Sequence, residues 1–350
     1  MSDWILEAKK LGFLEPKSCS LKELEPVLVN LGSKSSYLDP YIAKNLTFFR
    51  YPEKTFPAAK YAISLALPYY NTPLEKSGFS IYCQSKDYHF VLRALLNSYL
   101  LRLKLLYPGY TFNALFDTGL ILDRAVAYSS GLGFLGFNTC IIHPKAGSFV
   151  FLATVLTDLP LEKGNPLGFC KQCGACISAC PTGAIKEPFL LNNNLCVSAI
   201  TQTKGYLACK ECEMIKGHLF GCDICQLVCP HNQLVPSSSI LTPFYLLRKP
   251  ELLKLIKMEP EYQLVLKQSA AAWRGLNIIR RNALIALTFN NIEVDFNEIK
   301  KVAVSDPSHL VRAYAAFCLE KRAGENYWPG ALLNAPKEAF SFRDSIKYSD

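Results

Sequence analysis

The feature that most constrains this chain is the run Cys170-Lys-Gln-Cys173-Gly-Ala-Cys176-Ile-Ser-Ala-Cys180-Pro181. Its spacing, C-x2-C-x2-C-x3-C-P, is that of bacterial domains holding two 4Fe-4S cubes. Three thiolates at two-residue gaps wrap a tight loop around three irons of one cube. The fourth cysteine turns away to the other cube, and Pro181 keeps a helix from starting there. A second run, Cys222-Asp-Ile-Cys225-Gln-Leu-Val-Cys229-Pro230, has the same tail but lacks the first cysteine. Cys196, in LNNNLCVSAI, is the natural replacement. One cube then takes Cys170, Cys173, Cys176 and Cys229, and the other takes Cys180, Cys196, Cys222 and Cys225. Zinc sites are instead marked by two separated C-x2-C pairs, so clusters are the preferred reading. Two adjacent clusters imply an electron relay, with the acceptor elsewhere in the chain.

Other features set the context. The chain has 350 residues, 50% of them hydrophobic and 19% charged, as expected of a packed protein of two or three domains. MSDWILEAKKLGF has no long apolar run and no small-residue cleavage site. No stretch approaches the roughly 18 apolar residues of a membrane helix. A cytoplasmic location with no membrane partner is expected, and in that reducing compartment 14 cysteines are not disulfides. Cys209 and Cys212 fall outside the two cubes and read as unliganded thiols, with a further metal as the alternative. Cys19, Cys83, Cys140 and Cys318 are isolated, and burial as small apolar residues is the expectation. The net charge of +9 leaves a polyanionic partner and none equally open.

Three segments separate by composition. In residues 1–160, YAISLALPYY and GSFVFLATVLTDL read as buried strands, and DYHFVLRALLNSYLLRLKLLYP as a long helix ended by Pro108-Gly109. Helices mixed with strands suggest an α+β or α/β domain. Residues 161–236 form the cysteine-rich segment, which depends on metal because it has little room for an apolar core. Residues 237–350 read as helical. RNALIAL (Arg281–Leu287) and RAYAAFCL (Arg312–Leu319) begin 31 residues apart, a period that suits HEAT-like helix pairs, with a plain bundle as the alternative.

Ahead of the cysteines lies a group of polar residues. Asp87 in KDYH is an N-cap or a pocket residue, and His89 follows it on the helix. Asp117 in FDTG ends an apolar segment, where turns and catalytic groups both occur. GLGFLGFNT (Gly131–Thr139) lacks the phosphate-loop pattern, so its glycines serve close approach to another segment or to a flat cofactor.

Taken in order, these pieces resemble the epoxyqueuosine reductases. The likeness is carried by KDYHFVLR, the block FDTGLILDRAVAYSSGLGFLGFNTCIIHPKAGSFVFLATVLTDL, both cysteine runs with the displaced Cys196, and AWRGLNIIRRNALIAL. The resemblance implies an α+β multidomain protein. Its parts would be an α/β cobalamin-binding domain, a bacterial ferredoxin-like two-cluster domain and a C-terminal helical HEAT-like domain. It implies reduction of epoxyqueuosine to queuosine at the wobble position of tRNAs with GUN anticodons (Tyr, His, Asn, Asp). Electrons would pass from an external donor through two 4Fe-4S clusters to cobalamin, in a monomer. Asp117 matches the family's proton donor, and burial beside the corrin should raise its pKa well above the ordinary value. Cobalamin contacts carry over to Arg50, Ile141 and Leu152, and Asp87, Tyr88, His89 and Arg124 match positions near the same pocket. Ser198 and Thr203 would bridge pocket and cluster. The family usually has Lys where Phe137 stands.

Arg248–Arg281 holds eight Lys/Arg against three Glu, a candidate phosphate-binding face. Trp273 beside it would meet a base or anchor a core. The rival readings are a cobalamin and iron-sulfur reductase of a small molecule, a plain electron-transfer protein, and a non-catalytic tRNA-binding protein.

Overall fold

A computed structural model describes residues 2–24, 44, 56–72, 77–117 and 119–347. Arg50, named above, and Thr118, the residue after Asp117 in FDTG, lie outside the described residues. The chain divides into two compact units. One comprises Met1–Asn71, Tyr88–Asn194 and Ile224–Thr242, and the other Thr72–Asp87, Leu195–Asp223 and Pro243–Asp350.

The first unit is built on a four-stranded sheet. Its elements are α1 (Asp3–Lys10), β1 (Lys17–Ser20), β2 (Tyr61–Pro68), α2 (Tyr88–Leu106), β3 (Phe112–Leu115), α3 (Asp123–Ser129), the short pair β4 (Phe134–Leu135) and β5 (Ile141–Ile142), and β6 (Val150–Thr157). The strand order is β1-β2-β6-β3, and each of these pairings is antiparallel, the α+β pattern. The two predicted apolar strands are β2 and β6, paired from Tyr61↔Thr157 to Pro68↔Val150. Ala62–Leu67 are all buried, so β2 is covered on both faces and reads as a continuous apolar run rather than an alternating one. Each fully buried Ile or Leu side chain there contributes roughly 1.5–3 kcal/mol.

The predicted long helix is α2. It buries Leu92, Leu96, Tyr99 and Leu103, spaced four, three and four apart along one stripe. It ends just before Pro108-Gly109, as the sequence signals. The outer strand β3 stops at Leu115, which pairs with Thr154 of β6, so Asp117 lies two residues past the sheet's edge. Helix α3 buries Ala125 and Val126 in a cluster with Cys19, Ala62, Ile121 and Leu156. A short helix, α4 (Ala175–Ala179), follows in the cysteine run.

The second unit is helical. It contains α5 (Val197–Thr201), α6 (Cys209–Met214), α7 (Leu276–Phe289), α8 (Phe296–Ser305) and α9 (His309–Ala323), among other helices. The two near-repeat motifs sit on α7 and α9, which pack together with α8 as consecutive helices.

The candidate basic face changes in the structure. Arg281 is fully buried, and its Nη1 donates to the carbonyls of Thr203 and Gly205 at 2.7 Å each. Arg280 is also buried and pairs with Asp306. Both guanidiniums are therefore interior fasteners rather than phosphate ligands. Lys254 and Lys257 are each engaged by a carboxylate, of Glu251 and Glu298. Trp273 is 58% exposed, donates from Nε1 to Gln202 Oε1 at 3.0 Å, and carries the Arg274 guanidinium over its ring. It does not anchor a core.

Candidate active site and metal centres

The Asp117 site is assembled where β3 ends and α2 begins. Tyr88 and His89 are the first two residues of α2, so their side chains leave the helix at its open end. The Tyr88 hydroxyl donates to Asp117 Oδ2 at 2.9 Å. His89 Nε2 lies 3.0 Å from the same oxygen and donates to it when Asp117 is ionised. The Tyr88 ring is stacked on Phe151 of β6, with centroids 4.4 Å apart, which fixes its direction. The backbone of Asp117 is left-handed, with φ 54°, an unusual conformation for a residue with a side chain.

The expected upward shift of Asp117 is not what the structure gives. The hydrogen bond from His89 holds its carboxyl below the ordinary value, partial burial opposes this, and Tyr88 adds to the lowering. The physical reason is that the side chain is still 48% exposed, so burial is too weak to outweigh a favourable partner for the charged form.

The upward shift belongs to a neighbour that the sequence reading did not single out. Burial pushes Asp123, at the start of α3, up to about 7, against the lowering effect of Thr154 and the Asp117 amide. Asp123 Oδ2 accepts from the Asp117 backbone N–H at 2.9 Å, and Oδ1 accepts from Thr154 Oγ1 at 2.6 Å. The signal in the sequence was an acid in the first turn of a helix, six residues after Asp117.

Next to it, Arg124 Nη1 donates to the Thr139 carbonyl at 3.0 Å. Ile141 is buried among Ala66, Ala127 and Leu132, and Leu152 packs half-buried against that cluster. The glycine-rich block is occupied by protein: a Cβ on Gly131 would lie 2.2 Å from the Asn165 carbonyl, and one on Gly133 would lie 2.6 Å from Ile141. Asp87, in the second unit, donates its backbone N–H to the Gln268 carbonyl at 2.7 Å. In the same unit the Ser198 carbonyl accepts from Thr201 and Gln202, and the Thr203 hydroxyl donates to the Ala199 carbonyl at 3.4 Å.

The first set of cysteines surrounds a cavity. Cys170, Cys173, Cys176 and Cys229 line a space of about 240 Å³ together with Phe137, Asn138, Ile142 and His231. Burial raises the thiols of Cys176 and Cys229, and the nearby thiols of Cys170 and Cys173 add to the effect. This mutual repulsion of negative sulfurs is what iron would relieve. The donor set is all sulfur around one void, which fits a cube with one thiolate per iron. Among the described residues no three His, Cys, Asp or Glu side chains converge on a single ion.

Phe137 is buried, and its ring meets Phe189 edge to face at 5.2 Å, so a Lys at that position would face an aromatic wall. Of the other cysteines, Cys180 follows α4 and its sulfur accepts from the Ala184 N–H at 3.3 Å, while Cys196 precedes α5. Cys222 lies in the irregular stretch just before the helix Ile224–Leu227, and Cys225 is within that helix. Cys209 and Cys212 are buried in α6, and burial pushes the Cys212 thiol up to about 12. Cys19, Cys83 and Cys318 are buried as expected, and Cys140 is partly so.

Comparison with known proteins adds to this geometry. Residues 169–232 match a family model described as a 4Fe-4S double cluster binding domain. Residues 50–118 match one described as epoxyqueuosine reductase QueG, DUF1730. The epoxyqueuosine reductase of Staphylococcus aureus is 36% identical, over 78% of this chain and 75% of the relative. That of Bacillus subtilis is 34% identical, over 89% of this chain and 83% of the relative.

The chain belongs to the epoxyqueuosine reductase family.

Membership makes it an oxidoreductase, and the matched double-cluster domain removes the zinc alternative. A crystal structure of an epoxyqueuosine reductase with a tRNA-Tyr epoxyqueuosine-modified stem loop superposes with a TM-score of 0.87 at 29% identity, covering 99% of this chain and 97% of that one. The Streptococcus thermophilus enzyme gives 0.86 at 26% identity, covering 99% and 98%. A third structure, from Bacillus subtilis, has its catalytic loop swung out of the active site; its TM-score is 0.84 at 29% identity, covering 99% and 97%. Among the described residues no helix is long and apolar enough to cross a membrane.

Proposed function

We propose that this chain reduces the epoxide of epoxyqueuosine, at the wobble position of tRNA, to the cyclopentene of queuosine. The reaction takes two electrons and two protons and releases water. The observation that carries the reading is the Asp117 carboxylate, gripped by Tyr88 and His89 at 2.9 and 3.0 Å yet half open outward. The relative solved with a modified stem loop supports tRNA as the substrate carrier. We take the substrates to be tRNAs with GUN anticodons (Tyr, His, Asn, Asp), and the protein to act as a cytoplasmic monomer fed by an external electron donor.

One 4Fe-4S cube would be held by Cys170, Cys173, Cys176 and Cys229, the other by Cys180, Cys196, Cys222 and Cys225. The functional segments would be 1–160 for catalysis, 161–236 for electron relay and 237–350 for tRNA. Cobalamin would supply the low-potential, strongly nucleophilic metal that the epoxide requires. Arg50, Asp87, Tyr88, His89, Arg124, Ile141, Leu152, Ser198 and Thr203 are assigned to holding it. A half-exposed acid fits such a group, because covering it completes a burial that the protein alone leaves unfinished.

The residues' own work is proton delivery. As the C–O bond breaks, the oxygen needs a proton, and Asp117 Oδ2 is positioned to give it. His89, bonded to the same oxygen, can return a proton to it. Desolvation on loading opposes the lowering by His89 and shifts the carboxyl toward its protonated form.

The reading is tested by loading the protein anaerobically with iron, sulfide and cobalamin, then adding reductant and tRNA carrying epoxyqueuosine. Mass spectrometry of the digested nucleosides should find loss of one oxygen atom, only with cobalamin present. Intact clusters and bound cobalamin with no mass change would overturn it.

A further inference from the structure

We propose that Asp123 is the positioning residue that holds the Asp117 loop in its working pose. The role rests on Asp117 being the proton donor. Three observations carry it.

First, Asp123 makes a two-sided clasp. One carboxylate oxygen accepts from the Asp117 N–H at 2.9 Å, and the other accepts from Thr154 at 2.6 Å. Thr154 is fully buried on β6 and stands opposite Leu115, the last residue of β3. The clasp therefore ties the loop to β6, an interior strand of the sheet, at the point where the strand leading to Asp117 ends.

Second, the clasped residue needs holding. The left-handed backbone of Asp117 persists only where its surroundings over-determine it. Tyr88 and His89 hold the side chain, and Asp123 is the side chain bonded to its backbone N–H.

Third, the same helical turn repeats the device. Arg124 holds the carbonyl of Thr139, another residue with a side chain and positive φ, at 66°. The first turn of α3 thus fastens two strained loops, the one bearing Asp117 and the one that continues from the cluster-lining Phe137 and Asn138. Ionisation is not needed for the clasp. A neutral carboxyl can still accept from the Asp117 N–H and donate to Thr154, which suits a group that burial pushes up to about 7.

The test compares wild type, Asp123→Ala, Asp123→Asn and Thr154→Val as cluster-loaded proteins. Asn can accept from the Asp117 N–H through its oxygen and donate to Thr154 through its amide, so it keeps the clasp without a charge. Two readouts are needed: hydrogen exchange of the 116–122 segment without cobalamin, and kcat and KM with cobalamin and substrate tRNA. Asp123→Ala should speed exchange at the Asp117 amide about tenfold or more and lower kcat by a similar factor, with KM little changed. Thr154→Val should show a weaker form of both effects, and Asp123→Asn should restore both. Unchanged exchange and kcat in Asp123→Ala would overturn the inference. So would a general loss of protection that Asn fails to rescue, since that marks a role in the fold alone. Asp117→Asn, run beside them, separates the two claims. A wild-type rate in that variant sinks the proton-donor reading, while exchange still reports whether Asp123 clasps the loop.

Discussion

The cysteine run and the central strand pair are opposites. From Leu161 to Gly183 no residue is buried, whereas Ala62–Leu67 of β2 are buried without a break. The strands fold because apolar area leaves water, and that driving force needs no ligand. The cysteine loops have no such area to bury, so their order must come from bonds to iron. The functional parts divide the same way. The electron path sits where metal organises the chain, and Asp117 sits where a sheet and a helix start organise it.

Removing iron should break this contrast most visibly. Chelation after oxidation should abolish activity and leave residues 161–183 exchanging rapidly, while the amides of β2 and β6 keep their protection. Hydrogen exchange by mass spectrometry reads both regions at once. Equal loss in the two would mean that the sheet also depends on the clusters.

A smaller effect is expected where the two regions are pinned within the first unit. Asn232, just past Cys229, accepts from the Ser148 N–H at 2.8 Å and donates to Ser148 Oγ at 2.9 Å. Gly147 permits this: it has φ +59°, and a Cβ there would lie 1.8 Å from Asn232 Oδ1. Gly147→Ala should therefore cost about 2–3 kcal/mol, read as a lower Tm, and speed iron release from the cluster proposed at Cys229. A lower Tm with iron held as firmly as before would show that the pin serves the sheet alone.

The smallest expected effect is on the pH dependence. His89 keeps the Asp117 carboxyl low, so His89→Ala should let it rise. A step needing protonated Asp117 slows as pH climbs through that pKa. The variant's falling limb should therefore move to higher pH, by about one unit. A profile that stays put would mean that Asp117 does not titrate in the rate.

The legibility of each region follows from the same contrast. Ligand spacing is local, so Cys170–Cys180 and Cys222–Cys229 declared their chemistry in the sequence. The strands β2 and β6 and the helix α2 were also legible, since apolar runs and the three-and-four spacing of Leu92, Leu96, Tyr99 and Leu103 are local patterns. Asp123 was not, because its burial and its hold on Asp117 arise only when α3 meets β6. The lowering of the Asp117 carboxyl was not legible for the same reason, since its cause, His89, is a partner one helix away. Arg280 and Arg281 looked like a basic surface because charge counts carry no depth.

The role of Asp117 is tested in a single-turnover experiment with protein that is loaded with clusters and cobalamin and reduced beforehand, so that electron supply does not limit the rate. Deoxygenation of tRNA-borne epoxyqueuosine is then timed in wild type and in Asp117→Asn. With Asp117 as the proton donor, the variant should bind cobalamin and tRNA normally but react about 10² to 10⁴-fold more slowly. Equal rates would contradict that role, and the proton would have to come from another group or from water.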